Sequence, residues 1–462
     1  MQRREFMKNG AVALTVAATK PLFAFQGAND RVRMAVIGMG NRSGRVFDSF
    51  TRFDDVQFTM GCEVAANRAT NFQNNRPMAQ PLTVVGDYRR VLDRNDIDAV
   101  LIGTPDFSHA RITADALAAG KHVYVEKPIA NNVARINMML DAHNKFPNLV
   151  TQVGTQQRSW DHFIEAKKQM AKLEGITHVL IQQPGAYSQT RQEVAPVPEG
   201  LDWDAWQVDA PKKPFKPGYT SFRAWWEYGS GLVGDWGAHH IDVANWFMDA
   251  DNKQPLKTTA VGFNSNPNTD PECVYSQFSI VWQYDNFIMT FANSVYPRPN
   301  FADPNNPDIE GWGVYFYANN ATLQVNRMGW ALRPPVNRTS NRIPADPRPG
   351  TTPGAAGAAG GRAGGPGGGR AGGPGGGRGG AGGGQPVEGI TYVNPRGGVE
   401  EDYPLHVHTR DFLDKLKVRN RNTNASMEIG YNSALPALLA LEAMKDNKIL
   451  GWDPVARKTI VL

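Results

Sequence analysis

Glycines 38 and 40 in the run Val36-Ile37-Gly38-Met39-Gly40-Asn41-Arg42-Ser43-Gly44 stand where an apolar strand pattern gives way to a helical one. A dinucleotide pyrophosphate asks for this arrangement: a tight turn at the first glycine, close backbone approach at the second, and helix N-terminal amides on which the anion rests. The third glycine comes one place late, with the small Ser43 at the usual position. Glu63 ends the second apolar run roughly twenty residues on, where a carboxylate can accept the ribose 2′-hydroxyl and repel a 2′-phosphate. NAD is therefore favoured over NADP, although Arg68 nearby leaves the phosphorylated form open. Two more groups, Gly103-Thr104-Pro105-Asp106-Phe107-Ser108-His109 and Glu126-Lys127-Pro128, follow short apolar runs. Such strand ends are where open parallel sheets put their ligands. A lysine followed by proline sits on a stiff backbone and can aim its ammonium at a substrate hydroxyl; a solvated surface lysine is the alternative.

The last chemical signal is Gly229-Ser230-Gly231-Leu232-Val233-Gly234-Asp235-Trp236-Gly237-Ala238-His239-His240-Ile241-Asp242. Read as a helix from Asp235, it places Asp235, His239 and Asp242 on one face, so that a carboxylate can stand beside an imidazole. Oxidising a secondary alcohol requires loss of the hydroxyl proton as hydride leaves carbon, and a histidine titrating near neutrality suits that task. A metal site from His239, His240 and Asp242 is the rival, but adjacent histidines point to different helix faces and no further ligand cluster accompanies them. The two cysteines, Cys62 and Cys273, show neither metal-ligand spacing nor a disulfide framework.

These residues need a scaffold, and the flanking patterns supply one. Strands at Arg33–Ile37, Val56–Cys62, Ala99–Ile102 and His122–Val125 alternate with helical segments such as Ile112–Ala119, closed by Gly120. That alternation predicts an α/β Rossmann domain with a doubly wound parallel sheet over residues 31–154. Beyond Gly154, six of the eleven tryptophans fall within residues 203–246, followed by the β-branched and aromatic runs Val274–Trp282, Phe287–Phe291 and Val314–Tyr317. An α+β C-terminal domain with an antiparallel sheet is expected over 155–345 and 388–462, with helical periodicity in His406–Leu416 and Ala434–Met444. Between them, the Gly/Ala/Arg/Pro tract 350–386 cannot bury enough apolar surface to offset its chain entropy, and is expected to be a disordered insertion.

The 462 residues, 41% hydrophobic and 20% charged, suffice for two cores. The net charge of +5 sits at the edges: residues 1–28 carry +3 and the 350–386 tract another +3, which leaves about −1 for the folded body. A nucleic-acid partner is thereby excluded, and three arginines in the tract are a weak footprint for RNA. Arg3 and Arg4 precede an apolar run, Ala11 to Thr19, too short to span a bilayer. The pair resembles a twin-arginine export signal over residues 1–28, with Gln2 and Met7 departing from the usual pattern; an ordinary secretory leader or an uncleaved anchor are the alternatives. Export, with a periplasmic destination, is the expectation. No later apolar stretch is long enough for a membrane helix.

Together, the glycine turn, the Glu126-Lys127-Pro128 triplet and the run Gly-x-Gly-x-x-x-Asp-x-Gly-x-His-x-x-Asp resemble the glucose–fructose oxidoreductase and inositol dehydrogenase family, Gfo/Idh/MocA. The likeness extends over nearly all of 31–345 and 388–462, including His408 through Phe412-Leu413, Asn424-Ala425-Ser426 and Trp452-Asp453-Pro454. It implies a large, mostly antiparallel sheet in the second domain, a substrate held between the domains, and a homo-oligomer built on that sheet. It also implies Lys127 as catalytic lysine, Asp235 as substrate-binding acid and His239 as proton acceptor. Gly38, Gly40, Asn41, Arg42, Glu63, Thr104, Pro105, His109, Glu126 and Lys127 become the cofactor candidates, with no metal. Gly154-Thr155-Gln156-Gln157-Arg158 and Arg223-Ala224-Trp225-Trp226 resemble pocket-lining stretches, which adds Arg158 and Arg223 as substrate ligands. Ser230 stands where a glycine is usual.

The activity implied is hydride transfer between a sugar, polyol or glycoside hydroxyl carbon and NAD. A protein exported folded would carry its NAD tightly bound and recycle it in place, by a ping-pong reaction or by a redox-neutral cycle that expels a leaving group. The second resembles the family's NAD-dependent glycosidases acting on N-acetylgalactosaminides, which differ around the Asp235–His239 motif. A non-catalytic carbohydrate-binding protein is the third possibility, against which the joint presence of Lys127, Asp235 and His239 argues.

Overall fold

The computed structural model describes residues 31–293, 311–335, 388–393 and 402–462. The proposed leader, 1–28, and the 350–386 tract lie outside the described residues. The first unit is a six-stranded parallel sheet of β1 (Val32–Ile37), β2 (Val56–Cys62), β3 (Thr83–Val85), β4 (Ala99–Ile102), β5 (His122–Val125) and β6 (Thr151–Val153), in the order β3-β2-β1-β4-β5-β6. Its central strands β4 and β5 are buried at every position. That explains their continuous apolar runs: helices cover both faces of a parallel sheet, so no residue alternates to water. The helices are α1 (Asn41–Phe50), α2 (Ala66–Asn74), α3 (Arg89–Leu92), α4 (His109–Ala118) and α5 (Val133–Lys145). Helix α4 begins three residues before the sequence-based start and ends as expected, with Gly120 at φ +77° just beyond it. Strand order reverses between β1 and β4, which opens a crevice at their C-terminal ends.

The second unit contains α6 (Asp161–Gln169), β7 (His178–Gln182), α7 (Trp203–Trp206) and α8 (Gly231–Phe247). The strands β8 (Lys257–Phe263), β9 (Gln277–Gln283), β10 (Ile288–Ala292), β11 (Gly313–Tyr317), β12 (Thr322–Asn326), β13 (Gly329–Arg333) and β14 (Ile390–Val393) follow. After helices α9 (Asp402–Lys417) and α10 (Met427–Asp446) come β15 (Leu450–Asp453) and β16 (Lys458–Val461). Ten strands form one sheet, β14-β13-β12-β11-β7-β10-β9-β8-β15-β16, antiparallel throughout except where β7 lies beside β10. Alternation in β9 shows why this sheet is one-sided: Phe278, Ile280 and Trp282 are buried while Ser279, Val281 and Gln283 face outward. Helices α8 and α10 cover the inner face, and the Trp282 indole donates to the Pro436 carbonyl of α10.

Within 388–462, which the sequence assigns to the C-terminal domain, α9 packs on α1 of the Rossmann unit as well as on the 156–159 turn, with Leu405, Phe412, Leu413 and Leu416 in one buried cluster with Phe47, Phe50 and Tyr124. Asp55, in the α1–β2 turn, fastens it by accepting from Arg410 (2.9 Å) and Lys417. Burial alone would push the Asp55 carboxyl up, but these two cations outweigh it and bring it down to about 2. Its native pKa lies below the unfolded one, so the contribution is complete above about pH 4 and is lost as pH falls toward 2. Asp55→Asn should cost about 1 kcal/mol at neutral pH and shrink the acid-induced loss of stability between pH 4 and 2, read by urea unfolding.

Candidate functional site

A cavity of about 1100 Å³ runs from the β1–α1 turn to the loops of the second unit. Gly38, at φ +84°, makes the turn; a Cβ there would stand 2.8 Å from Thr104 Cγ2 and the Thr104 amide nitrogen. Gly40 caps α1 without a side chain, which leaves the first amides of the helix facing the cavity. Ser43 explains the late third glycine: its hydroxyl donates to Gly103 O at 3.0 Å, and a Cβ on Gly103 would collide with it at 2.1 Å. Glu63 braces the turn from the end of β2, accepting the Met39 amide at 2.8 Å and the Ala65 amide at 3.0 Å, while lining the cavity. A turn that only glycine can make, an open helix terminus and an acidic strand end fit NAD. Asn41 and Arg42 lie on the same wall, as do Arg68 and Arg89.

Deeper in, Arg42 pairs with the buried Glu126 at 3.0 Å. Gly154 must lack a side chain because its Cβ would stand 2.6 Å from Glu126 Oε1. Thr104, Pro105 and His109 follow β4. The His109 ring nitrogens lie 2.8 Å from Thr104 O and 2.7 Å from Pro128 O, so the imidazole ties the β4 end to the β5 end. Burial pushes its pKa down to about 4, and the neutral ring donates to one of the two carbonyls. Its side chain thus holds the Thr104 and Lys127-Pro128 loops in place.

The substrate end is built around Lys127 and Asp235. Lys127 Nζ donates to Asp235 Oδ1 at 2.7 Å and to Asp235 O at 2.9 Å. Tyr187 donates its phenol hydroxyl to Asp235 Oδ2 at 2.6 Å, and Arg223 Nε stands 3.2 Å from Oδ1. Burial alone would raise the Asp235 carboxyl, but Lys127 and Arg223 hold it well below the usual carboxylate range. Asp235 is therefore a fixed anion. Lys127, Tyr187, Arg223 and Asp106 line the cavity; Asp235 lies directly behind Lys127, one helical turn before His239 on α8.

His239 is buried and accepts from Arg327 Nη2 through Nε2 at 3.2 Å, while Nδ1 has no partner. Desolvation, then Lys127, Arg327 and Arg42, push its pKa well below the ordinary value, so the ring is neutral. Asp242 and Arg158 behave differently from the sequence-based reading. Arg158 Nε stands 2.9 Å from both Asp242 carboxylate oxygens, and its two terminal nitrogens bind Asp251 at 2.6 and 3.0 Å. With its side chain 4% exposed and its donors spent on Asp242 and Asp251, Arg158 acts as a clasp and lies off the cavity wall. Among the tryptophans, Trp225 is fully buried and donates to Gly218 O, in an aromatic cluster with Trp203, Tyr219 and Tyr228.

Sequence reasoning missed Tyr187, a lone aromatic in an irregular segment with no periodicity to mark it. Asp106 stood inside a quoted motif without a role. Among the described residues no group of three or more His, Cys, Asp or Glu side chains is placed to hold a metal, and no helix is long and apolar enough to cross a membrane.

Residues 32–154 match the model of an oxidoreductase family with an NAD-binding Rossmann fold, and residues 184–312 match that family's C-terminal alpha/beta domain. Curated relatives include an alpha-N-acetylgalactosaminidase of Shewanella oneidensis, 31% identical over 116 residues, 24% of this chain and 25% of that protein. A glycosyl hydrolase family 109 protein of Streptomyces coelicolor is 33% identical over 125 residues, 26% of either chain. These matches span only about a quarter of each relative's length. Among solved structures, myo-inositol 2-dehydrogenase from Lactobacillus plantarum superposes with a TM-score of 0.57 at 16% identity, over 91% of this chain and 99% of its own. The WlbA dehydrogenase from Bordetella pertussis, in complex with NADH and UDP-GlcNAcA, gives 0.58 at 12% identity, over 93% and 99%. At such identities the likeness is one of fold.

Proposed function

The chain belongs to the Gfo/Idh/MocA oxidoreductase family, with NAD as its cofactor, and from that premise we propose that it transfers hydride between a hydroxyl-bearing carbon of a sugar or polyol and tightly held NAD. The observation that carries the proposal is the Lys127–Asp235 pair, whose lysine stands on the wall of the cavity that begins at the glycine turn with the carboxylate directly behind it. NAD, when bound, supplies the hydride acceptor. Lys127 has three N–H donors and spends two on Asp235, so the third is left to polarise a substrate oxygen. Asp235, held by Tyr187 and Arg223, accepts from a neighbouring hydroxyl and orients the ring. His239 has the proton-acceptor role at Nε2, but its ring is buried off the cavity wall with Arg327 on that lone pair, so proton uptake requires the guanidinium to give way and the substrate to reach past the wall.

A second reading, a redox-neutral glycosidase in which transient oxidation of the sugar enables loss of its aglycone, is favoured by the glycosidase names of the curated relatives. We extend the proposal to export through the Arg3-Arg4 leader. We extend it also to a homo-oligomer, because Val261, Val281 and Ile288 leave apolar surface on the outer face of the ten-stranded sheet.

Mass analysis of cofactor released from natively purified protein, followed by a panel of sugars and polyols watched at the reduced-nicotinamide band, tests the proposal. NAD should be found, and at least one sugar should raise the absorbance. Aglycone released from an aryl N-acetylgalactosaminide without added NAD would favour the glycosidase. Failure of both assays would refute hydride chemistry on sugars.

A further inference from the structure

Asp106 is 2% exposed, yet it lies on the wall of the cavity beside Lys127, Tyr187 and Arg223. It stands where β4 hands over to α4 and is a second carboxyl group in a site that already holds Asp235. The two are treated in opposite ways. Asp235 receives Lys127, Tyr187 and Arg223, three donors on two oxygens. The Asp106 carboxyl has a single hydrogen-bond partner among the described residues, the Ser230 hydroxyl, 3.1 Å from Oδ2. That serine replaces the glycine expected at its position, so the contact is a feature of this chain.

Resting on the reading of this cavity as a sugar site, we propose that Asp106 is a further substrate-binding residue, one that meets a sugar oxygen as a hydrogen-bond donor where Asp235 can only accept. The groups facing it are Arg223, Asp235, Lys127 and Tyr187, with Ser230 in contact. Burial raises its carboxyl to about 7, the Asp235 charge adds to that, and Arg223 and Lys127 pull the other way without prevailing. Two carboxyls whose surroundings drive their protonation apart divide donor and acceptor work between them. A sugar hydroxyl can serve either partner, whereas a carbonyl oxygen can only accept. Protonated Asp106 therefore accommodates both the hydroxyl and the keto form of the sugar at the oxygen it touches. As pH rises through about 7 the donor becomes an anion, which accepts from the hydroxyl form and repels the keto form.

Infrared difference spectra of the whole protein between pH 5.5 and 8.5 test the proton without any ligand. A protonated-carboxyl band that vanishes with a midpoint near neutrality is expected in the wild type and absent in Asp106→Asn, which keeps the shape and an N–H donor. Steady-state kinetics with a sugar from the panel test the contact. Asp106→Leu should raise KM roughly tenfold or more with kcat changed far less, and Asp106→Asn should flatten the pH dependence of KM while keeping most affinity. Persistence of the band in Asp106→Asn, or an unchanged KM in Asp106→Leu, overturns the proposal. Should the wild type turn over no sugar, the sugar-site reading fails and the substrate contact fails with it, while the infrared arm still decides whether Asp106 carries the proton.

Discussion

Replacing Lys127 with alanine is expected to lower kcat by about 10²–10⁴-fold on any sugar the wild type oxidises, while NAD still co-purifies with the protein. The ammonium makes the shortest ion pair to Asp235 from the cavity wall, closer than Arg223, so its loss removes both the donor that polarises the reacting oxygen and the strongest hold on the acid that orients the sugar. Cofactor retention follows from where the other contacts lie. Gly38 packs on Thr104 and Glu63 accepts the Met39 and Ala65 amides, whereas the Lys127 ammonium bonds to Asp235. Arginine should not rescue, because a planar fork cannot place one N–H on a substrate oxygen while keeping the paired contacts to the Asp235 carboxylate and carbonyl. Single-turnover absorbance at the nicotinamide band, alongside mass analysis of bound NAD, measures the two quantities separately. A variant that keeps near-wild-type turnover would remove Lys127 from the chemistry.

What could be read from the chain alone divides along physical lines. Val32–Ile37, Ala99–Ile102 and His122–Val125 were legible because a strand buried on both faces must be apolar throughout, and the turn after β1 because local backbone geometry demands glycine at 38. The cofactor positions named from motifs do lie along one cavity for the same reason: they sit at strand ends that the topology itself collects. Partners brought together from distant segments left no local mark. Helix α9 shows amphipathic spacing, but spacing does not say which sheet its apolar face will meet, and it returned to the first unit. Tyr187 and Asp106 gain their significance only from Asp235 and Ser230, 48 and 124 residues away. The Arg158 clasp left no local mark either, because its immediate neighbours resemble a pocket wall whereas its carboxylate partners lie 84 and 93 residues later.

The Arg158 clasp underlies the second large effect. Arg158 follows β6, where the Rossmann sheet ends, and reaches Asp242 on α8 and Asp251 beyond it, while Ser433 of α10 donates to the same Asp242 at 2.7 Å. Four segments thus meet at one guanidinium. Burial favours loss of its charge, but Asp242 and Asp251 hold it protonated, so the cluster is an ion triad in which Arg158 and Asp242 are shut off from water and Asp251 stays partly exposed. Removing one member of such a group leaves a buried charge without compensation, at a cost of about 3–5 kcal/mol, far more than the intact pair contributes over an apolar substitute. Arg158→Ala should therefore shift urea unfolding by that amount, with KM for the sugar unchanged in whatever folded protein remains. Pairing it with Asp242→Leu should recover part of the loss, because the orphaned carboxylate goes with it. A raised KM with unaltered unfolding would instead return Arg158 to the substrate site and place the clasp between the two units elsewhere.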